Sequence, residues 1–264
     1  MDLQLRGRRA LVSGSSAGIG WAIARALAAE GVEVVLNGRD ARRLAQAVER
    51  LCAQVRSAEV DAVQADVATP EGCDHLVDAA GDVDILVNNC GVCEAAAFES
   101  IADAQWTRMF DINVLSGVRL TRALLPAMKA RNWGRVVFVS SESGICPPGD
   151  MAHYAMTKSA QLSVSRAVAE TCAGTAVTVN AVLPGPTRTE GVQVFLERMA
   201  RDAGCSTAEA ESTFFSKQRP TSLLQRFVEP AEVAATVAFV CSPLAAAMNG
   251  AALSADGGVI RSLY

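Results

Sequence analysis

Arg9-Ala-Leu-Val-Ser-Gly-Ser-Ser-Ala-Gly-Ile-Gly20 is the first patterned segment of the chain. Residues 9–13 read as a short buried strand, and the turn Gly14-x-x-x-Gly18-x-Gly20 follows with no spacer. Beyond it, Ile23, Leu27 and the surrounding alanines keep helical spacing to Glu30, Gly31 stops the helix, and 32–37 reads as a second strand. Strand, glycine turn, helix and strand make a half-unit suited to a mononucleotide. The glycines let the backbone come close to a pyrophosphate, and amides at the helix start receive its charge.

The same rhythm continues outward. Residues 40–55 are a charged amphipathic helix, 58–65 a strand ending at Asp66-Val67, 71–80 a helix, and 83–87 a strand closing on Asn88-Asn89-Cys90-Gly91. The segment 103–130 is predicted helical with Pro126 marking a bend or break, 135–140 is the fifth strand, 154–171 a helix and 176–180 the sixth strand. A helix over 231–241, begun by Pro230, leads to a seventh strand at 251–255 and the turn Asp256-Gly257-Gly258. Strands separated by helices indicate an α/β fold: a doubly wound parallel sheet of about seven strands with helices on both faces. Between 190 and 222 the rhythm breaks. Helical periodicity at 192–200 and 207–217 returns no strand, so this segment reads as an inserted helical flap within a single domain spanning 1–264.

The bulk numbers bound the function. A chain of 264 residues, half of them apolar, buries one substantial core, and a net charge of −4 gives no electrostatic case for nucleic acid or an anionic membrane. No apolar run reaches membrane-spanning length. No signal-peptide pattern precedes the first strand, so the eight cysteines are expected as reduced thiols of a cytoplasmic protein. Cys90 and Cys93 have the gap of a metal knuckle, but no second knuckle follows and only His75 and His153 are available to complete a site, so no metal is expected.

Tyr154 and Lys158 sit four apart, on one face of their helix, with Ser141 thirteen residues upstream. An ammonium beside a phenol favours the phenolate, so this pair is suited to proton exchange nearer neutral pH than a free phenol allows. His153 precedes the tyrosine by one and is expected to point off that face.

Taken together, these motifs resemble the short-chain dehydrogenase/reductase family over essentially the whole chain, which implies a Rossmann-type fold. Ser13-Gly14-Ser15-Ser16-x-Gly18-Ile19-Gly20 is similar to the family's cofactor turn, Asp66-Val67 to its adenine contact, and Asn89-Cys90-Gly91 to the motif beside the central sheet. Pro184-Gly185-Pro186-Thr187-x-Thr189 resembles the segment passing the nicotinamide. Asn113, Ser141, Tyr154 and Lys158 match the catalytic tetrad. The resemblance implies that Tyr154 moves the proton, Ser141 holds the carbonyl oxygen, Lys158 tunes the tyrosine and bonds the nicotinamide ribose, and Asn113 binds a water linking Lys158 to solvent. Asn37-Gly38-Arg39 offers a guanidinium and no acid where a ribose-binding carboxylate is usual, which favours NADP(H), with NAD(H) as the alternative; Ala17 supplies no second basic residue. Asp40 is expected to cap the next helix.

For the substrate, Cys146 and Met151 are expected on one side of the pocket, Cys93 on another and Pro186 with the flap on a third; Glu142, which follows Ser141 in the same mouth, either shapes its polarity or serves as a cap or solvent-exposed residue, the second being the favoured reading. Phe195, Phe214 and Phe215 either touch an apolar substrate or pack in a core. The resemblance extends to bacterial 3-oxoacyl-carrier-protein reductases, and a carrier-protein substrate predicts a basic greeting patch from Arg188, Arg198, Lys217 and Arg219. Sugars, polyols, steroids and other secondary alcohols remain the alternative substrates, and a silent nucleotide-binding protein the alternative of another class. The family also implies a homotetramer built on the helices of 103–130 and 154–171, with Ala155, Ala160, Val164, Ala167 and Val168 as the apolar face.

Overall fold

The structure, a computed structural model, describes residues 1–262. Seven parallel strands form one sheet in the order β3-β2-β1-β4-β5-β6-β7: β1 Arg9–Val12, β2 Glu33–Gly38, β3 Val60–Gln64, β4 Ile85–Asn88, β5 Gly134–Val139, β6 Val177–Pro184 and β7 Ala252–Ala255. Side chains alternate across the pleat and feed two cores. Ala10 and Val12 of β1 face a layer with Ile23 and Leu27 of α1 (Gly18–Ala29), Leu51 of α2 (Ala41–Gln54) and Val237 of a late helix, whereas Leu11 faces Leu76 of α3 (Pro70–Ala80) on the other side. The two caps nearest the first crossovers are as the sequence requires: Asp40 accepts from the Arg43 amide at 2.8 Å, and Thr69 caps α3 with Pro70 in its first turn.

Two boundaries differ from the sequence expectation. The helical segment 103–130 breaks at Asn113 and not at Pro126: α4 (Asp103–Phe110) passes through a π-helical turn, Asp111–Leu115, into α5 (Ser116–Ala130), which continues through Pro126. The wide turn is stabilised from outside, because Gln161 donates to the Asn113 carbonyl at 2.6 Å. Strand β6 runs to Pro184, past the polar Asn180 where the pattern suggested an end, because the buried Asn180 amide is satisfied by Met248 and Ala251.

After β5 comes α6 (Ala152–Glu170), and after β6 the flap helices α7 (Glu190–Ala203) and α8 (Thr207–Lys217) precede α9 (Pro230–Cys241). The flap has its own small core, where Phe214 and Phe215 pack on Phe227 and Leu196. Of the two readings of these aromatics, packing is the one observed for Phe214 and Phe215. No helix among the described residues is long and apolar enough to cross a membrane.

Candidate active site

The carboxyl ends of β1, β4, β5 and β6 deliver Ser13, Asn89, Ser141 and Gly185 to one edge of the sheet, and the order reverses between β1 and β4, which is where an open α/β sheet leaves its crevice. Gly14, at φ +63°, brings its turn so close to the β4 turn that an added Cβ would lie 2.9 Å from the Cys90 Cα. At Gly20 the same atom would fall 2.3 Å from the Asn89 amide nitrogen. A side chain at either position would therefore fill the cradle. Ala17 gives α1 no side-chain cap, leaving the amides of its first turn directed at the crevice. These features fit a pyrophosphate.

Several predicted site residues prove to be braces. Ser15 accepts from the Asn37 amide at 2.9 Å, Asn37 bonds the carbonyls of Val63 and Ala65 and receives the Gly14 amide, and Ser13 receives the amides of Asn89 and Cys90 at 3.1 Å each. The side chains of Ser15 and Asn37 are buried and committed, so they shape the turn. Arg39, in contrast, is exposed beyond β2 and stands 3.9 Å from Asp66. Thr189 caps α7 and lies against the position of Gly18, while the carbonyl of Pro186 receives the Val228 amide, and Thr187 bonds back to Gly185. Arg43, which sequence reading passed over as a helix-surface charge, lines a small hollow with Ser16 and Glu190.

The tetrad positions converge around α6. Lys158 is buried, its ammonium donating to the Val139 carbonyl at 2.9 Å and to Gln161 at 3.1 Å, and it stands 5.6 Å from the centre of the Tyr154 ring. Gln161 in turn holds Asn113, whose side chain is clasped by Val92 and Thr157. Gln161 was missed from sequence, although Tyr154, Lys158 and Gln161 fall on one helical face and that spacing was the available signal.

The electrostatics correct the expectation for Tyr154. Its pKa is raised, not lowered: burial dominates, the Cys93 thiol adds to it, and the Ser141 hydroxyl opposes it. The lysine does not offset this, because its ammonium is turned to a carbonyl and an amide. Burial pushes Lys158 itself down to about 8. The neighbouring Cys93 keeps exposed surface, yet partial desolvation pushes its thiol up to about 11.

Ser141 donates to the carboxylate of Glu142, which also receives the Ser143 amide at 2.9 Å and pairs with the Arg219 guanidinium at 3.2 Å. Arg219 comes from the end of the flap, and both partners are largely buried. A cavity of about 440 Å³ opens beside it, lined in part by Cys146. Met151 is half-buried where α6 starts. His153 is fully buried, edge-on to Trp106 and away from the Tyr154 face.

A protein-family model described as enoyl-(acyl carrier protein) reductase matches residues 14–260. The chain is 47% identical to YvaG, an uncharacterized oxidoreductase of Bacillus subtilis (strain 168), over 264 residues and the full length of both. It is 33% identical to the D-beta-hydroxybutyrate dehydrogenase of Cupriavidus necator, covering 96% of this chain and 98% of that protein. Among solved structures, L-sorbose reductase from Gluconobacter frateurii, complexed with NADPH and L-sorbose, superposes with a TM-score of 0.94 at 32% identity over all of both chains. With the glycine cradle at the sheet's switch point and these full-length similarities, the chain belongs to the short-chain dehydrogenase/reductase family and is an NAD(P)-dependent oxidoreductase acting on a carbonyl or alcohol.

Proposed function

We propose that the protein is an NADP(H)-dependent reductase of a small polar ketone, able to oxidise the matching secondary alcohol in reverse, within one Rossmann-type domain that carries residues 190–222 as a flap over the substrate. The observation that carries this reading is the meeting of Tyr154, Ser141 and Lys158 beside the glycine cradle. The amides of Gly18, Ile19 and Gly20 would hold the pyrophosphate, Arg39 with Arg43 the 2'-phosphate, Asp66 and Val67 the adenine, and Asn89–Gly91 with Pro184–Thr189 the nicotinamide end. The NADPH bound to L-sorbose reductase supports the choice of phosphorylated cofactor. When bound, the cofactor supplies the hydride.

The residues supply the rest. Burial keeps the Tyr154 phenol protonated, so at neutral pH it is ready to donate to a carbonyl oxygen that gains negative charge. Ser141 positions that oxygen and adds a hydrogen bond. Lys158, with a pKa of about 8, is mostly charged at neutral pH; two of its protons go to the Val139 carbonyl and Gln161, and the third would bond the nicotinamide ribose. Asn113 and Gln161 fix the lysine through the π-helical turn.

A carrier-protein thioester draws less support. Arg219 turns inward onto Glu142, and Arg188 is engaged by Glu211 and Glu229, which leaves Arg198 and Lys217 as the exposed remainder of the basic patch. A homotetramer on the α5 and α6 faces belongs to the same proposal: Ala155 packs inside, while Ala160, Val164, Ala167 and Val168 keep surface on α6, and light scattering of the purified protein tests it. The decisive experiment follows cofactor oxidation with NADPH and NADH against L-sorbose, acetoacetate and a 3-oxoacyl thioester. Faster turnover with NADPH and a small ketone is expected, and no oxidation with any carbonyl would end the reading.

A further inference from the structure

Glu142 is the buried charge that the tetrad chemistry does not require. Its side chain is 5% exposed, one oxygen receiving the Ser141 hydroxyl and the Ser143 amide, the other held by Arg219 at 3.2 Å. Taking an ionised pair out of water is costly. Next to a plain ketone this carboxylate gains nothing, because a carbonyl and a carboxylate both only accept hydrogen bonds. It becomes useful when the substrate carries a donor next to the reacting carbonyl.

Resting on the reductase reading above, we propose that Glu142, oriented by Arg219, is the specificity-determining acceptor for a hydroxyl on the carbon adjacent to the reacting carbonyl, so that the substrate class is the α-hydroxyketone and, in reverse, the vicinal diol. In an α-hydroxyketone the two oxygens lie within hydrogen-bond distance of one another, as do the Ser141 hydroxyl and the Glu142 carboxylate. The fit has a mechanistic consequence. Ser141 has one proton and gives it to Glu142. A substrate hydroxyl that takes the serine's place on the carboxylate frees that proton to turn to the carbonyl oxygen. A ketone without the hydroxyl leaves the serine bound where it is. The cavity of about 440 Å³ on the outer side of Arg219 carries Asp150, Gln218, Thr221 and Arg261, a mixture of donors and acceptors suited to further hydroxylated carbons.

The test compares two ketones that differ by one hydroxyl, 3-hydroxy-2-butanone and 2-butanone, with NADPH and three proteins: wild type, Glu142→Gln, and the double variant E142L/R219L, which removes both charges together. Melting temperature and NADPH binding verify that each variant is folded. The wild type should prefer the hydroxyketone by more than about tenfold in kcat/KM, with much of the gain in kcat. That ratio should fall in Glu142→Gln and approach one in the double variant. A merely structural role for the pair would slow both ketones alike and leave the ratio where it was, which overturns the proposal, as does a wild type without preference. Failure to consume NADPH with either ketone or with 2,3-butanedione would instead overturn the reductase reading, and the proposal with it.

Discussion

Tyr154 and Lys158 show how burial can outweigh proximity. Four residues apart on a helix, they were expected to pull the phenol's pKa down, yet the ammonium bonds the Val139 carbonyl and Gln161, and desolvation decides both groups. A neutral phenol suits proton donation, and Tyr154→Phe should lower kcat by at least about 10²–10⁴-fold with NADPH affinity unchanged, measured by steady-state kinetics and fluorescence titration. The lysine also leaves a signature in stability. Its folded pKa of about 8 lies below its ordinary 10.5, so between those values the unfolded chain binds the extra proton and Lys158's contribution to stability rises with pH. Below about 8 both states are charged and the contribution is flat. Urea melts of wild type and Lys158→Met at pH 7.5 to 9.5 should therefore diverge upward for the wild type; taking the difference cancels the opposite slope of the buried thiols, Cys73 and Cys241, whose raised pKa values favour the unfolded state at high pH. Arg39 is exposed and able to reach a phosphate, so Arg39→Ala should weaken NADPH binding by about tenfold or more, the loss of a charge-assisted hydrogen bond, and leave NADH unchanged in calorimetric titration.

At the scale of elements, the π-helical turn between α4 and α5 joins fold to site. Its Asn113 carbonyl is held by Gln161, which also takes the Lys158 ammonium, so one α6 side chain fixes both a neighbouring helix and a catalytic candidate. Gln161→Met keeps the volume but leaves the buried carbonyl and part of the ammonium unsatisfied. A loss of about 1–3 kcal/mol in chemical denaturation is expected, together with reduced kcat. Equal stability of the two proteins would show that the turn stands without this partner. The flap behaves differently: its phenylalanines pack on one another, its Glu211 pairs with Arg188 and its Arg219 with Glu142, so its shape comes from a small core and its position from ion pairs.

For the whole molecule, the contact of the β1 turn with the β4 turn decides whether the cradle exists at all. Gly20→Ala would drive a methyl group into the Asn89 side chain and the Gly14 carbonyl, 2.3 and 2.6 Å from the new atom. Overpacking of this kind costs about 1–3 kcal/mol, and here it also displaces the first turn of α1, so both the melting temperature and nucleotide affinity should drop. Unchanged affinity would remove the turn from the cofactor site. The parallel sheet of seven strands and most element boundaries were legible from sequence because local patterns dictate them, whereas the order of the strands came from the fold: buried parallel strands are continuous apolar runs, and glycine, proline and capping residues punctuate the helices. Tyr154 and Lys158 were legible as a pair through their spacing, and Asn113 and Ser141 as candidates only through the resemblance to the family's tetrad. Tertiary contact alone decided that the helix breaks at Asn113 in place of Pro126, that Asn37 and Ser15 brace the turn, that Tyr154 holds its proton more tightly, and that Arg219 reaches Glu142 across 77 positions of chain. Periodicity reports which face of an element is apolar, but desolvation and long-range pairing depend on what packs against that face, and only the folded chain supplies it.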